Sequence, residues 1–485
     1  SAKVARRESP ADDNVIGHAF TQYSLKQALR RFPKEAQAAT MAEMQQFHDM
    51  QVLPVPKDSL TKQEHLEVLR SIIFIKQKRC GRVKARVCAD GRPQRYLYEK
   101  WEASSPTVKT ESVLLTSVIE AKEKRTVGVY DIPGAFLHSK LEETVHMKVS
   151  GVLAKCVIEV SKETYGPFVS TENGQTTIYL LLTRALYGCL KSALQFWKHL
   201  SGHLKNRGFE LNPYDPCVAN KIVNGNQLTV VWHVDDLKIS HVDKAVVDNE
   251  VKWLESIYGP LSGSKGLQHT YLGMDLDFSG GELKVSMVPY LQELVDEFPD
   301  KISSPASTPA TVHLFEEAVD PVLLDKEKAK VFHHIVAKAL WAALRARPDL
   351  LTTLSFLTCK VKAPDKDDYK KLTRMISYIK GTIDLPLTLS ADRTSIVKWW
   401  VDASYATRKD VRSQTSGTMS LGKGSIYSMS RKQKLNTTSS TEAELVAADD
   451  VMPQIIWTRY FLQGQGVKVS HNVLHQDNQS AILLF

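Results

Sequence analysis

The sequence predicts an α+β protein of several domains, and three observations carry that prediction. Short apolar, β-rich segments such as Ile178-Tyr-Leu-Leu-Leu182 alternate with helical stretches. Residues 326–381 then read as almost wholly helical, broken near Pro348 and Pro364, and from Ile396 the β pattern returns. The length, 485 residues, corresponds to about three domains at ~150 residues each. Hydrophobic residues make up 43% and charged residues 24%, which excludes collagen and chain-wide disorder. No apolar run approaches the ~18 residues of a membrane span, so no membrane partner is expected. No signal-peptide core follows Ser1-Ala-Lys-Val-Ala-Arg-Arg7. The six cysteines form no C-x-x-C pair, which argues against a zinc ribbon and for a reducing compartment. A formal charge of +9 favours a polyanionic partner, nucleic acid first.

Residues 1–22 read as a polar lead-in. Ser24 is a helix N-cap, Pro33 interrupts, and a second helix with Met41, Met44 and Phe47 on one face runs to about His48. Ser71-Ile-Ile-Phe-Ile75 and Val83-Lys-Ala-Arg-Val87 read as a hairpin about Cys80-Gly-Arg82. This hairpin carries Lys76, Lys78, Arg79, Arg82, Lys84 and Arg86 without an acid, so it is either a solvated tip or a finger that grips phosphates. A helix over 108–123 leads to the strand Thr126–Asp131, and a further helix covers 190–206. Leu228–Val234 and Leu237–Val242 are β-rich arms about an Asp235-Asp236 turn, the sharpest hairpin pattern in the chain. Residues 382–395 read as a linker.

Asp131 ends one predicted strand, and Asp235 and Asp236 sit on a hairpin tip. Neighbouring strands would bring the three carboxylates together. Such a set suits Mg²⁺, a hard ion that takes oxygen ligands and keeps room for substrate phosphate. Two ions about 3.5–4 Å apart serve nucleotidyl transfer. Adjacent strand residues face opposite ways, so one of Asp235 and Asp236 is expected to be the constant ligand, with Asp235 favoured. An Asp-Asp pair alone is more often just a turn.

The ordered segments Asp131-Ile-Pro-Gly-Ala-Phe-Leu137, Leu186-Tyr-Gly-Cys-Leu-Lys191, His233-Val-Asp-Asp236 and Tyr271-Leu-Gly-Met274 change that balance. With Lys84-Ala-Arg-Val87 and Asp-Pro-Cys-Val at 215–218, they resemble the palm motifs of reverse transcriptases. The resemblance is to the copia-type long-terminal-repeat retrotransposons and runs from about residue 25 to 485. It implies that Asp131, Asp235 and Asp236 are catalytic and bind metal. It implies that Phe136 is a steric gate against ribonucleotides, with a core Phe as the plainer reading. Arg86 would hold the incoming triphosphate, with Lys76 or Lys78 beside it. Gly188 would let the backbone approach the templating pair, Tyr187 and Lys191 are further substrate-binding candidates, and His233 and Gly273 would lie at the primer. Departures from the pattern include His233 for a usual Tyr, Pro133 for a usual Lys, and Lys191-Ser-Ala-Leu-Gln195, which lacks the usual Arg. Because His titrates near neutrality, His233 predicts mild pH sensitivity of extension between about pH 6 and 8.

A second acidic set follows. Val397-Lys-Trp-Trp-Val-Asp402 is a strand ending in an acid, Ser439-Ser-Thr-Glu-Ala-Glu444 opens a helix, and His475-Gln-Asp477 follows a short strand. Acids on a strand, a helix and a strand end form the ribonuclease H pattern, another two-metal site. Asp402, Glu444 and Asp477 are the catalytic and metal-binding candidates, and Glu442 is the alternative to Glu444. Thr441-x-x-Glu444 also reads as a capping box. Family members continue past the point where this chain stops at Phe485, so a truncated, impaired nuclease of lowered stability is expected.

The resemblance thus implies a right-hand polymerase followed by a truncated ribonuclease H-like α/β domain. The expected order is lead-in 1–22, N-terminal helices and fingers 23–125, palm with fingers insertions 126–285, thumb 286–382, linker 383–395 and ribonuclease H-like domain 396–485. The implied activity is RNA-directed DNA synthesis with two Mg²⁺ in the palm, two more at the second site, and Mn²⁺ as a substitute. Implied partners are RNA template, DNA primer, RNA–DNA hybrid, dNTPs, and the integrase and capsid parts of one polyprotein. The implied location is a cytoplasmic virus-like particle, or the nucleus. A truncated or domesticated copy that binds primer–template without turnover is the alternative.

Overall fold

The computed structural model describes residues 22–49, 52–77 and 81–484. Two compact units divide them: Ser1–Asp90 with Val145–Leu181, and Gly91–Thr144 with Leu182–Phe485. In the first unit, helix α1 (Pro33–Asp49) packs against the hairpin of β1 (Leu69–Gln77) and β2 (Val83–Ala89). Alternation sets this packing. Ile73, Ile75, Ala85 and Val87 are buried, while Lys76, Lys84 and Arg86 are exposed. Ser24 does cap the short helix Leu25–Arg31 that precedes α1, through a reciprocal bond pair with Gln27.

The second unit is organised on a six-stranded sheet. Helix α2 (Thr110–Lys122) is buried along most of its length and precedes β3 (Thr126–Asp131). Helix α3 spans Ser192–Asn206. Strands β4 (Asp215–Val223), β5 (Asn226–His233) and β6 (Asp236–His241) form a meander, α4 covers Lys244–Tyr258, and β7 (Ser262–Gly266) returns to the edge. The order is β7-β3-β6-β5-β4 and then Glu210–Asn212, so β3 lies between β6 and β7. Beneath β6 the fully buried Lys238 pairs with the equally buried Glu120 of α2. Removing either partner would leave an uncompensated buried charge, so this pair ties β6 to α2. Asp215 is buried at the start of α2, where it accepts from Lys109 N–H (3.0 Å) and Ser112 Oγ (2.5 Å). A carboxylate there satisfies helix-start donors and complements the helix dipole.

Strands β8 (Gln268–Tyr271), β9 (Met274–Asp277) and β10 (Leu283–Ser286) begin a second sheet. Helices α5 (Lys326–Ala343), α6 (Leu351–Leu357) and α7 (Lys366–Gly381) follow, as the sequence predicts. The expected linker at 382–395 is corrected: it contains strand β11 (Leu387–Ala391). β11 pairs with β10, with Leu389 opposite Leu283, and with Gly422–Lys423. The C-terminal elements are therefore joined to what precedes them through a shared five-stranded sheet.

The last elements are β12 (Ile396–Ser404), β13 (Gln414–Ser420), β14 (Tyr427–Lys432), the long helix α8 (Ser440–Gly464) and β15 (His471–His475). Their sheet order is β14-β13-β12-β15, with β15 parallel to β12. Val397, Trp399 and Val401 are buried, and α8 packs on β12 and β13. A Cβ at Gly417 would meet Val451 of α8 at 2.8 Å, which explains the glycine in mid-strand. Among the described residues, no helix is long and apolar enough to cross a membrane.

Candidate active sites

The ladder places Asp131 of β3 directly across from Asp236 of β6, and His233 of β5 across from Asp236 on the other side. Two carboxylates directly opposite in an antiparallel pair repel each other. Asp235 lies in the loop, and its carbonyl accepts from Ile132 N–H at 3.0 Å. The two-residue turn is therefore Val234-Asp235, not the expected Asp235-Asp236, and Asp236 already belongs to the strand. Val234 adopts φ +58°. A β-branched residue there is strained, and such strain persists only where the surroundings enforce it. Ser262 Oγ of β7 approaches Asp131 Oδ2 at 3.5 Å, and Tyr187 Oη approaches Asp235 Oδ2 at the same distance.

Phe136 is buried on a short 3₁₀ turn, Ala135–His138, rather than on a strand end. Its ring lies 4.5 Å from that of Tyr187 and 6.3 Å from that of Phe196. Gly188 has φ +92°, and its carbonyl would lie 2.1 Å from a Cβ at Gly91, so two backbone segments meet closely there. Lys191 pairs with Glu143 and sits 3.8 Å above the Tyr98 ring. Leu272 and Gly273 both have positive φ and close the β8–β9 hairpin, as a type I′ turn requires. Lys76 and Arg86 lie on the exposed face of the first unit's hairpin, and Lys78 falls outside the described residues.

His233 is half-buried, and its Nδ1 has no hydrogen-bond partner among the described residues. Burial pushes its pKa below the usual 6.5, Arg345 pushes the same way, and Asp235 opposes them. The expected pH 6–8 sensitivity is thereby moved to the acid side of 6.5.

Asp402 of β12, Glu444 of α8 and Asp477 after β15 form the one group of three or more carboxylate, imidazole or thiol ligands, among the described residues, whose atoms lie within 4.8 Å of one another. Glu444 is buried and held at both oxygens, by Ala403 N–H (3.2 Å) and Gln476 Nε2 (2.9 Å). Burial raises its pKa; the two bonds oppose that, and Asp402 and Asp477 add to it. Glu442 is engaged elsewhere, accepting from Thr438 N–H (2.6 Å) and Oγ1 (2.7 Å). The helix N-cap is Ser439, which corrects the capping box centred on Thr441. Gln476 was missed by sequence reasoning, although its place beside Asp477 was a usable signal.

Sequence reasoning also missed Trp341 and Arg345. Trp341 is 45% exposed, and its Nε1 lies 3.9 Å from where a Cβ at Gly273 would be. The Arg345 guanidinium stacks 3.2 Å from the Trp341 ring centre. The i, i+4 spacing of Trp341, in the last turn of α5, and Arg345, in the turn just after it, was the available signal.

Residues 69–311 match the family described as reverse transcriptase (RNA-dependent DNA polymerase), and the chain belongs to it. Its relatives are Pol polyproteins of copia-type transposons. It is 27% identical to the retrovirus-related Pol polyprotein from transposon TNT 1-94 of Nicotiana tabacum, across 83% of this chain and 29% of that one. It is 24% identical to that from transposon RE2 of Arabidopsis thaliana, across 83% and 26%. The chain therefore spans less than a third of the length of either relative. A prototype foamy virus protease–reverse transcriptase overlays 89% of this chain and 51% of its own at 13% identity, with a TM-score of 0.27.

Proposed function

We propose that the chain is an RNA-directed DNA polymerase that extends a primer on an RNA or DNA template. The observation that carries this reading is Asp131 facing Asp236 across one ladder, with Asp235 on the adjoining tip. In this reading the six-stranded sheet is the palm, the basic β1–β2 hairpin belongs to the fingers, and α5–α7 form the thumb. Asp131, Asp235 and Asp236 would hold Mg²⁺, because hard carboxylate oxygens suit it and opposed carboxylates favour a cation. Bound there, the ions supply charge neutralisation at the attacking 3′-oxygen and the departing pyrophosphate. Phe136, backed by Tyr187 and Phe196, would stand against a sugar 2′-hydroxyl. Lys76 and Arg86, on the exposed face of the first unit's hairpin, offer cations suited to phosphate.

The gathered Asp402, Glu444 and Asp477 support a second activity, divalent-ion-dependent cleavage of the RNA strand of a hybrid. Gln476 and Ala403 N–H would keep Glu444 turned into that cluster.

The test is primer extension on an RNA template with Mg²⁺ and dNTPs, beside Asp235→Asn. Extension that the substitution abolishes supports the reading. Hybrid binding without extension would leave a non-catalytic binding protein.

A further inference from the structure

Helix α3 carries His199 and His203 one turn apart, on the face that meets the end of α4. Their rings stand 4.5 Å apart, centre to centre. Both lie against the ring of Tyr258, at 5.7 and 6.3 Å. A third imidazole, His138 of the Ala135–His138 turn, lies 5.2 Å from the same Tyr258 ring. Three elements distant in sequence thus bring three imidazoles around one phenol. None of the three has a part in the proposed polymerase chemistry.

The surroundings suit a metal ion. Tyr258 is 3% exposed, and its hydroxyl has no hydrogen-bond partner among the described residues. A buried polar atom left unpaired calls for an explanation, and a bound water or ion is one. Burial first, then His203, His138 and Arg184, bring the His199 pKa down to about 4. Burial also lowers that of His138; its bond to the Pro133 carbonyl opposes this, and Arg184 adds to it. Both rings are therefore neutral at pH 7, the form that binds metal. His138 Nε2 meets the Pro133 carbonyl at 3.2 Å, which leaves the Nδ1 lone pair for a ligand bond. The histidine ion pairs among the described residues involve His146, His313 and His334, and none of these three. Neutral nitrogens suit Zn²⁺ or Ni²⁺ and are a poor match for Mg²⁺, which takes oxygen. Arg184 donates to the His138 carbonyl at 3.1 Å, and as a cation facing the set it opposes an ion's charge. The three rings do not all gather within 4.8 Å. The helical pair therefore supplies the first two ligands, and a shift of His138 adds the third.

We propose that His199 and His203, with His138 as third ligand, bind one divalent ion of the Zn²⁺ class between α3 and the turn that carries Phe136. An i, i+4 pair is a spacing by which a helix presents two imidazoles to zinc. The bound ion braces that turn against α3. The site draws on neither carboxylate set, and it stands whether or not the chain extends a primer.

The test is calorimetric titration of the whole chain with Zn²⁺ in excess Mg²⁺, with wild type, His199→Gln, His203→Gln, His138→Gln and His333→Gln. His333 is exposed on α5 and serves as the control. His199→Gln and His203→Gln are expected to weaken binding about a hundredfold, His138→Gln about tenfold, and His333→Gln not at all. Zn²⁺ should raise the wild-type melting temperature, and His203→Gln should lose that rise. Wild-type affinity in any of the first three variants would overturn the assignment and leave a packed cluster of rings. Should those variants lose their thermal transition, wild type alone decides, through modification by diethyl pyrocarbonate. Zn²⁺ should shield His199 and His203 and leave His333 reactive. Equal modification of all three with and without Zn²⁺ would overturn the proposal.

Discussion

The molecule carries two acidic triads built in opposite ways. Asp402, Glu444 and Asp477 come from a strand, a helix and a loop, yet their oxygens already gather within 4.8 Å. Asp131, Asp235 and Asp236 are tied by strand register and a two-residue turn, and they do not form such a group. The gathered triad has a buried member pinned at both oxygens, so its geometry is fixed before any ion arrives. The spread triad is fixed in its backbone instead, by the ladder, the Lys238–Glu120 pair below it and a strained Val234. The difference teaches that a preformed ligand cage and a rigid frame with open ligands are separate solutions. An open frame leaves room for substrate oxygens to complete a metal's coordination.

The largest effect that can test this contrast is Asp235→Asn. With the frame intact, hybrid binding should persist while extension falls about a thousandfold, the scale of losing several kcal/mol of charge stabilisation. Equal loss of binding and extension would show that the triad holds the fold and not the chemistry. The second test separates cage from cap. Glu444→Gln should abolish the rise in melting temperature that Mg²⁺ or Mn²⁺ gives wild type, whereas Glu442→Gln should keep that rise and lower the baseline slightly. Without added metal, Glu444 contributes stability below its ordinary pKa of 4.5, and this is lost as pH rises through its raised folded value. Glu444→Gln should therefore gain on wild type as pH increases, and divalent ion should erase the gain. A pH-independent difference would mean that Glu444 is not held as an ionised member of the cage.

Much of this was legible from residues. The β-rich arms about His233-Val-Asp-Asp236 specify a hairpin because alternating burial fixes strands locally. The candidates Asp402, Glu444 and Asp477 were found by pattern, and the fold brings them together. What was not legible depended on distant partners. Leu387–Ala391 does alternate apolar and polar residues, but it is only five residues long and directly follows Pro386; it forms a strand because β10, far back in the chain, offers an edge. The turn was misplaced by one residue because Asp-Asp suits turns and Val disfavours positive φ; tertiary context overrode both preferences. Glu444 was preferred to Glu442 from sequence, and the helix start at Ser439 leaves Glu442 in the first turn bonded to Thr438 while Glu444 joins the cluster.

The strained turn yields the third test. Val234→Gly should relieve about 1–3 kcal/mol of strain and forfeit about 1 kcal/mol of half-buried side chain, for a net gain near 1 kcal/mol. If the strain aims Asp235, extension should fall about tenfold even as the melting temperature rises. Stability and rate rising together would mean that the strain has no bearing on the site.

The smallest effect concerns His233, which joins the spread triad to Arg345. Its pKa is lowered by burial first; Asp235 opposes that, Arg345 adds to it, and the net shift is below the usual 6.5. The stability tied to that neutral ring is present above 6.5 and is lost as pH falls through the lower folded value. Protonation would also add a cation within electrostatic reach of Arg345. Extension by wild type and by His233→Tyr should therefore run parallel from pH 7 to 8, with wild type falling modestly below the Tyr variant only under about pH 6.5. Divergence already at pH 7.5 would mean that the ring is solvated and sits outside the frame. Divergence that vanishes in an Arg345→Gln background would show that the two cations are electrostatically coupled.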